Sequence, residues 1–329
     1  MSRGAWLLGA VASLPARAVE PLMAGLQRVL GVRRLPWVFL LPNLTVIVLF
    51  ALLPLAVNVV YSVTGSDNLY PGERPFVGLG NYATLLECGN YLEPSTCSRD
   101  LFWRAARNAL VFVPSQVAVM IGFALVTALA LNRRIRARGF FRGIFFFPVM
   151  LSPVVVAMTW VWLLQRDGAL NGILGTFGFE RVSWLTDPGR AFAWSIFVTV
   201  WAHMGFYTII LLAGLQSIPA DIYEAARMDR ASPWRVFSRI TLPMLKPVLL
   251  VVFVLAVIRS VQTFDEIYVL TGGGPGTATK MIVHYIYETG FAVMPRNYGL
   301  AAAASLLLGA VLFVFTALQM HLARRSRDG

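Results

Sequence analysis

Residues 300–322 read LAAAASLLLGAVLFVFTALQMHL, and between Ala301 and Val314 the only polar side chain is Ser305. A helix over this stretch is apolar all round, which suits lipid and gives water nothing to solvate. About 20 such residues cross the hydrocarbon core of a bilayer. Five further runs have that length and character: Trp37–Val63, Ala109–Leu131, Ile144–Leu164, Ala191–Leu215 and Pro247–Leu270. The expected fold class is all-α, a polytopic membrane protein with six transmembrane helices. Composition agrees: 57% of the 329 residues are hydrophobic and 13% charged, against roughly 45–50% and about 25% in soluble domains. These figures exclude disorder. With 27 Gly in no fixed period and 2 Cys, they also exclude collagen-like and disulfide-scaffold chains.

Charge orients the spans. The segment before the first span, those after the second and fourth, and the C-terminal segment together hold 18 Lys and Arg; the three alternate segments hold 8. The acids run the other way, 5 against 9. Basic residues stay on the cytoplasmic side, so both termini are expected there, and the formal charge of +12 is a topology signal rather than a nucleic-acid footprint. Arg3, the apolar run 5–12 and Ala16-Arg17-Ala18 imitate a signal peptide. Cleavage would reverse every span and put the Arg-rich loops outside. Residues 1–35 therefore read as a cytoplasmic lead-in, either amphipathic at the membrane surface or a poorly ordered tail. Residues 36–325 form the transmembrane domain and 326–329 a cytoplasmic tail. Cys88 and Cys97 fall in the external segment 65–108, where an oxidising compartment favours a disulfide between them. Their spacing and lack of a neighbouring His give no metal site.

Motifs for catalysis are missing. His203, His284 and His321 are scattered, with no HExxH and no GxSxG. The Gly-rich run 271–280 ends in Lys280 but lacks the Gly-Lys-Ser/Thr of a phosphate loop, and reads as a turn. No cofactor is expected in this chain, and ATP hydrolysis, if it drives the protein, belongs elsewhere.

Segment 217–246 carries the strongest local signal. Asp221 can cap a helix whose first turn holds Glu224. Pro233 opens a second short helix with Trp234, Phe237 and Ile240 on one stripe. Within it stand Glu224-Ala225-Ala226 and, further on, Ile240-x-Leu242-Pro243.

At that spacing the sequence resembles the inner-membrane permease subunits of bacterial binding-protein-dependent ABC importers. Their signature is Glu-Ala-Ala, three residues, Gly, nine residues, Ile, one residue, Leu-Pro. Phe39-Leu40-Leu41-Pro42, Phe76-Val77-Gly78-Leu79-Gly80-Asn81-Tyr82 and the run from Phe264-Asp265-Glu266 to Gly274-Pro275 are similar to the sugar and glycerol-3-phosphate branch, which includes maltose-type permeases. The resemblance covers about residues 36–322 and departs at one point: the signature Gly is Arg230.

The resemblance implies a type I importer permease fold. Segment 217–246 would be the coupling loop, its Glu224, Ala225, Ala226 and Asp229 docking into an ATP-binding subunit, with the part played by Arg230 open. The implied partners are two ATP-binding subunits holding ATP and Mg, a second homologous permease, a periplasmic or lipid-anchored solute-binding protein, and membrane lipid; nucleic acid is not among them. The implied location is the bacterial inner membrane. Thr199, His203 and Phe206, on one face of the fourth span, match sugar-lining positions, as do Arg259, Ser260 and Thr263 in the fifth and Ser152 in the third. Arg259 either pairs with Glu266, seven residues on, or reads an anionic solute such as a phosphorylated polyol. Two other classes compete. An ion-coupled secondary transporter needs membrane acids, for which Asp265 and Glu266 are the mid-chain candidates. A membrane enzyme needs clustered carboxylates or His, which are not seen.

Overall fold

The computed structural model describes residues 25, 27, 31, 35–65, 68–133 and 136–328, the side chains of residue 71 and of 322–328 excepted. The expected lead-in 1–35 lies almost wholly outside these residues. Among them every regular element is helical, with two isolated antiparallel bridges, Thr64 to Phe76 and Cys88 to Cys97. The chain forms two units, residues 1–60 and 61–329.

From residue 35 onward the first unit is an apolar helix, α1 (Leu35–Ser62), which runs on to Ser62. It carries Pro42, a π turn at Val48–Leu52 and no buried side chain up to Val60. Such a surface is stable only in lipid.

The second unit begins with α2 (Gly80–Leu86), followed by a disulfide between Cys88 and Cys97. Helix α3 (Asp100–Asn132) is longer than the expected 109–131 span. The third span is not one rod. It consists of α4 (Arg138–Phe146), a 3-10 turn to Met150, α5 (Pro153–Leu164) and α6 (Ala169–Thr176), and the two arms are bent by 100° at residues 151–152. Pro148 and Pro153 bracket the bend. Each lacks an N–H for the helical ladder, and Pro153 fits the first position of a new helix. The chain continues through α7 (Pro188–Gln216) and α8 (Ala220–Met228).

The expected fifth span is displaced. Helix α9 runs Pro233–Val261 with a π turn at Phe237–Thr241, so the helix expected within the cytoplasmic loop is the base of the span itself. The chain then breaks, and Asp265–Thr271 forms a separate α10. After α11 (Ile282–Tyr287), α12 (Tyr298–Asp328) carries helix through the residues expected as a tail; Gly329 lies outside the described residues. Among the described residues five helices are long and apolar enough to cross a membrane, six if the bent pair is one span.

Helices α3, α7 and α9 form the centre. Val117, Met120, Ala124 and Ala128 of α3 meet Val200, Leu211 and Leu215 of α7 and Leu245, Val252 and Ala256 of α9. In lipid, helices associate by close van der Waals packing, which small residues permit. Gly205 shows how close: a Cβ there would lie 2.2 Å from the Phe145 carbonyl oxygen. Backbone contact at this point seats the bent third span against α7.

His284 of α11 is fully buried beside the Phe264 and Tyr268 rings, and neither ring nitrogen has a partner among the described residues. Burial, reinforced by the Lys280 charge, holds its pKa down to about 4. The unfolded imidazole, with a pKa of about 6.5, takes up a proton that the folded one refuses. Stability is therefore complete above about pH 6.5 and declines as pH falls toward about 4. Thermal melting near pH 7.5 and pH 5 should show that loss, and His284→Phe should shrink it. An equal loss in the variant would place the acid sensitivity elsewhere.

Candidate functional site

Three helices bring their charged or ionisable side chains to one point. Arg259 lies near the end of α9, His203 in the middle of α7, and Glu266 in the first turn of α10. Glu266 Oε1 is 2.9 Å from Arg259 Nη2 and 2.7 Å from His203 Nε2. Arg259 Nη2 and His203 Nε2 are themselves 2.9 Å apart. Both nitrogens converge on one oxygen, so the consistent network has each donating a proton to it. An isolated Arg at mid-membrane costs about 2.5–3.5 kcal/mol even on the lenient insertion scale, and Glu266 supplies the partner. The Glu266 side chain is 1% exposed and that of Arg259 34%, so the cation shows a face that the anion does not.

That face opens on a cavity of about 260 Å³ between α7 and α9, whose walls include His203, Phe206, Tyr207, Arg259 and Gln262. Three of the residues expected on the substrate path therefore line it: His203, Phe206 and Arg259. The others stand apart from its walls. Thr199 is buried and donates to the Ser195 and Ile196 carbonyls at 2.8 and 2.9 Å. Thr263 is buried and donates to the Arg259 carbonyl at 3.1 Å. Ser260 is buried and bonds Gln116 of α3. Ser152 is exposed, at the bend before α5. Tyr207 and Gln262 were missed. Tyr207, four residues beyond His203, could have been found by extending the helical stripe.

The second candidate surface is α8. Its N-cap is Pro219 and no side chain caps it; Asp221 sits inside the first turn rather than before it. Glu224, Ala225 and Asp229 are exposed, and Met228 is 84% exposed. Ala226 is buried and so leaves the outward face on which it was expected. The Tyr223 hydroxyl meets Thr241 Oγ1 at 3.2 Å, tying α8 to the base of α9.

Arg230 holds the turn between them. Its φ is +50°, the left-handed region. The Arg230 N–H donates to the Arg227 carbonyl and the Ala231 N–H to the Ala226 carbonyl, both at 3.0 Å. These are the two bonds of a Schellman cap, whose left-handed position usually holds Gly. The turn thus keeps its geometry with a residue that bears the steric cost of a Cβ there, about 1–2 kcal/mol. Arg230→Gly should raise the stability of the purified protein by about 0.5–1 kcal/mol once the entropy of Gly is offset. A fall in melting temperature would show that the Arg230 side chain contributes more than its backbone costs.

The fold and these two surfaces define a class: a helical membrane chain with a charge-balanced internal cavity and a helical hairpin presented at one end. Residues 120–328 match the family described as binding-protein-dependent transport system inner membrane component. The chain is 36% identical over 299 residues to the trehalose/maltose transport system permease protein MalF of Thermococcus litoralis, covering 90% of this chain and 95% of that one. It is 34% identical over 299 residues to the lactose transport system permease protein LacF of Rhizobium radiobacter, covering 88% and 94%. Its fold matches a chain in the crystal structure of a bacterial ABC transporter involved in the import of the acidic polysaccharide alginate. The TM-score is 0.76 and the identity 26%, with 93% of this chain and 99% of that one covered. The chain belongs to the binding-protein-dependent transport system inner membrane component family and is a multi-pass permease subunit of an ABC importer. It is not an enzyme; ATP hydrolysis resides in a separate subunit, and a solute-binding protein is a further partner. The ion-coupled reading finds no support in these matches.

Proposed function

We propose that this permease passes a neutral sugar or polyol, and that the cavity beside Arg259 is part of its path. The observation that carries this reading is the Arg259–Glu266 pair with His203. The two charges cancel, so the cavity offers hydrogen-bond donors and the Phe206 ring without a free cation. Such a surface suits hydroxyl groups and the apolar face of a sugar ring. A glycerol-3-phosphate-like solute would have to draw Arg259 away from a buried carboxylate. The sugars in the names of the trehalose/maltose and lactose relatives support the same class.

The wider assembly follows the same reading. A second homologous permease completes the path, and one of two ATP-binding subunits, which hold ATP and Mg, docks on α8 through Glu224, Ala225 and Asp229. A periplasmic or lipid-anchored protein delivers solute to the outer segments. Both termini and α8 face the cytoplasm of a bacterial inner membrane. Closure of the ATP-binding subunits pushes α8, and α9 follows because the Schellman turn and the Tyr223–Thr241 contact join them. A rigid-body switch of this kind needs only differential contacts in the two states.

The test is competition. Calorimetry on the cognate binding protein, followed by uptake through the reconstituted importer, should show neutral sugars or polyols binding and competing, and their phosphorylated forms failing. Preferred uptake of the phosphorylated forms would contradict the proposal.

A further inference from the structure

On α4, Arg138 and Arg142 are one turn apart, against the last residue of α7. With its amide oxygen turned toward them, Gln216 accepts from Arg138 Nη2 at 2.7 Å and from Arg142 Nη2 at 3.0 Å. Two guanidiniums thus share one neutral acceptor, although each carries five N–H donors. Among the described residues neither buried Nε atom has a partner, and no carboxylate lies within salt-bridge distance of either group. Arg259, by contrast, has its Glu266.

The rest of α4 indicates what completes the site. Phe140 and Ile144, and Phe147 at the start of the 3-10 turn that follows, are all exposed, and the spacing of Phe140 and Ile144 puts them on a face apart from the arginines. Between the two faces run Gly139 and Gly143, where an added Cβ would meet nothing within 4 Å. The helix thus has the make-up of an interfacial one, an aromatic face suited to acyl chains and a side-chain-free flank leading to two uncompensated cations. Its first turn also lacks a side-chain cap, because Ala137 stands at the N-cap with φ +58°.

We propose that Arg138 and Arg142 bind the phosphate of an anionic phospholipid, whose tails lie along Phe140, Ile144 and Phe147 and whose headgroup crosses the Gly139–Gly143 flank. Guanidiniums match phosphate oxygens through paired N–H bonds. The site lies at the end of α7 that leads into α8, so a bound lipid would brace the membrane side of that hairpin. The proposal is independent of the solute.

Native mass spectrometry tests it on the complete purified importer, given equal amounts of phosphatidylglycerol and phosphatidylcholine with the same chains. Wild type should retain phosphatidylglycerol by about tenfold over phosphatidylcholine. The Arg138→Gln, Arg142→Gln variant should retain the two equally. Gly139→Leu, Gly143→Leu leaves the charges in place and fills open space, so it should fold and also lose the preference; its keeping the preference would overturn the proposed route. Arg239→Gln, an arginine elsewhere on the chain, should behave as wild type. Equal retention in wild type, or a preference surviving loss of both arginines, would overturn the site. Displacement by inorganic phosphate alone would make it a free-anion site and overturn the lipid assignment. A preference seen in the lone permease and lost in the full importer would assign the arginines to an acidic partner segment instead.

Discussion

Glu224→Lys is expected to leave insertion and assembly of the permease intact and to cut solute uptake by about thirtyfold or more. Glu224 is exposed on α8, so the change disturbs no packing and costs the fold little. Its effect falls on the docked state. Reversing a charge at a contact that must both bind and transmit force typically costs about 2–5 kcal/mol. Uptake by cells expressing all subunits, with membrane content of the permease as control, measures it. Wild-type uptake by a correctly inserted variant would remove Glu224 from the coupling surface.

The second large effect is expected at the internal pair. Glu266→Gln alone leaves Arg259 charged and unpaired, which should destabilise the protein by about 3–5 kcal/mol. Arg259→Met alone leaves the carboxylate with His203 as its remaining partner. In the double variant Arg259→Met, Glu266→Gln no membrane charge is orphaned, and the side-chain amide introduced in place of the carboxylate can still accept from His203. Melting temperature and native uptake should both return close to wild type. A double variant that folds well and no longer takes up its native solute, while passing a neutral analogue, would show that Arg259 reads an anion.

The spans were legible because lipid imposes a length and a composition that no soluble helix needs. Their interruptions were legible only in part. The bend at residues 151–152 lies in an apolar stretch, whereas the break at 262–264 opens on Gln262 and Thr263, polar residues that read equally well as one face of a continuous span. Pro148 and Pro153 mark the first in the sequence itself; no proline or glycine marks the second. The Arg259–Glu266 pair was anticipated from a seven-residue spacing on one helix. It forms instead across the break, with Glu266 on its own short helix. Its third member, His203, could be found only once α7 and α9 were packed together. Thr199 and Thr263 look on paper like polar residues awaiting a ligand, yet each is satisfied by its own helix backbone, as hydroxyls in apolar helices often are. At Arg230 the signature of the resembling family has Gly, the residue most at home in a left-handed turn, and this chain has a side chain that strains one. The backbone keeps the turn, because the two Schellman bonds and the packing of α8 on α9 outweigh one Cβ.

Solute passage through this chain is under the control of ATP hydrolysed elsewhere. The most direct measurement is uptake into proteoliposomes containing the permease with and without its ATP-binding subunits, second permease and binding protein, in the presence of ATP or of an imposed proton or sodium gradient. Uptake should require the full set and ATP and should be indifferent to the gradients, and the purified chain alone should hydrolyse no ATP. Gradient-driven uptake by this chain alone, or ATP turnover by it, would contradict the account.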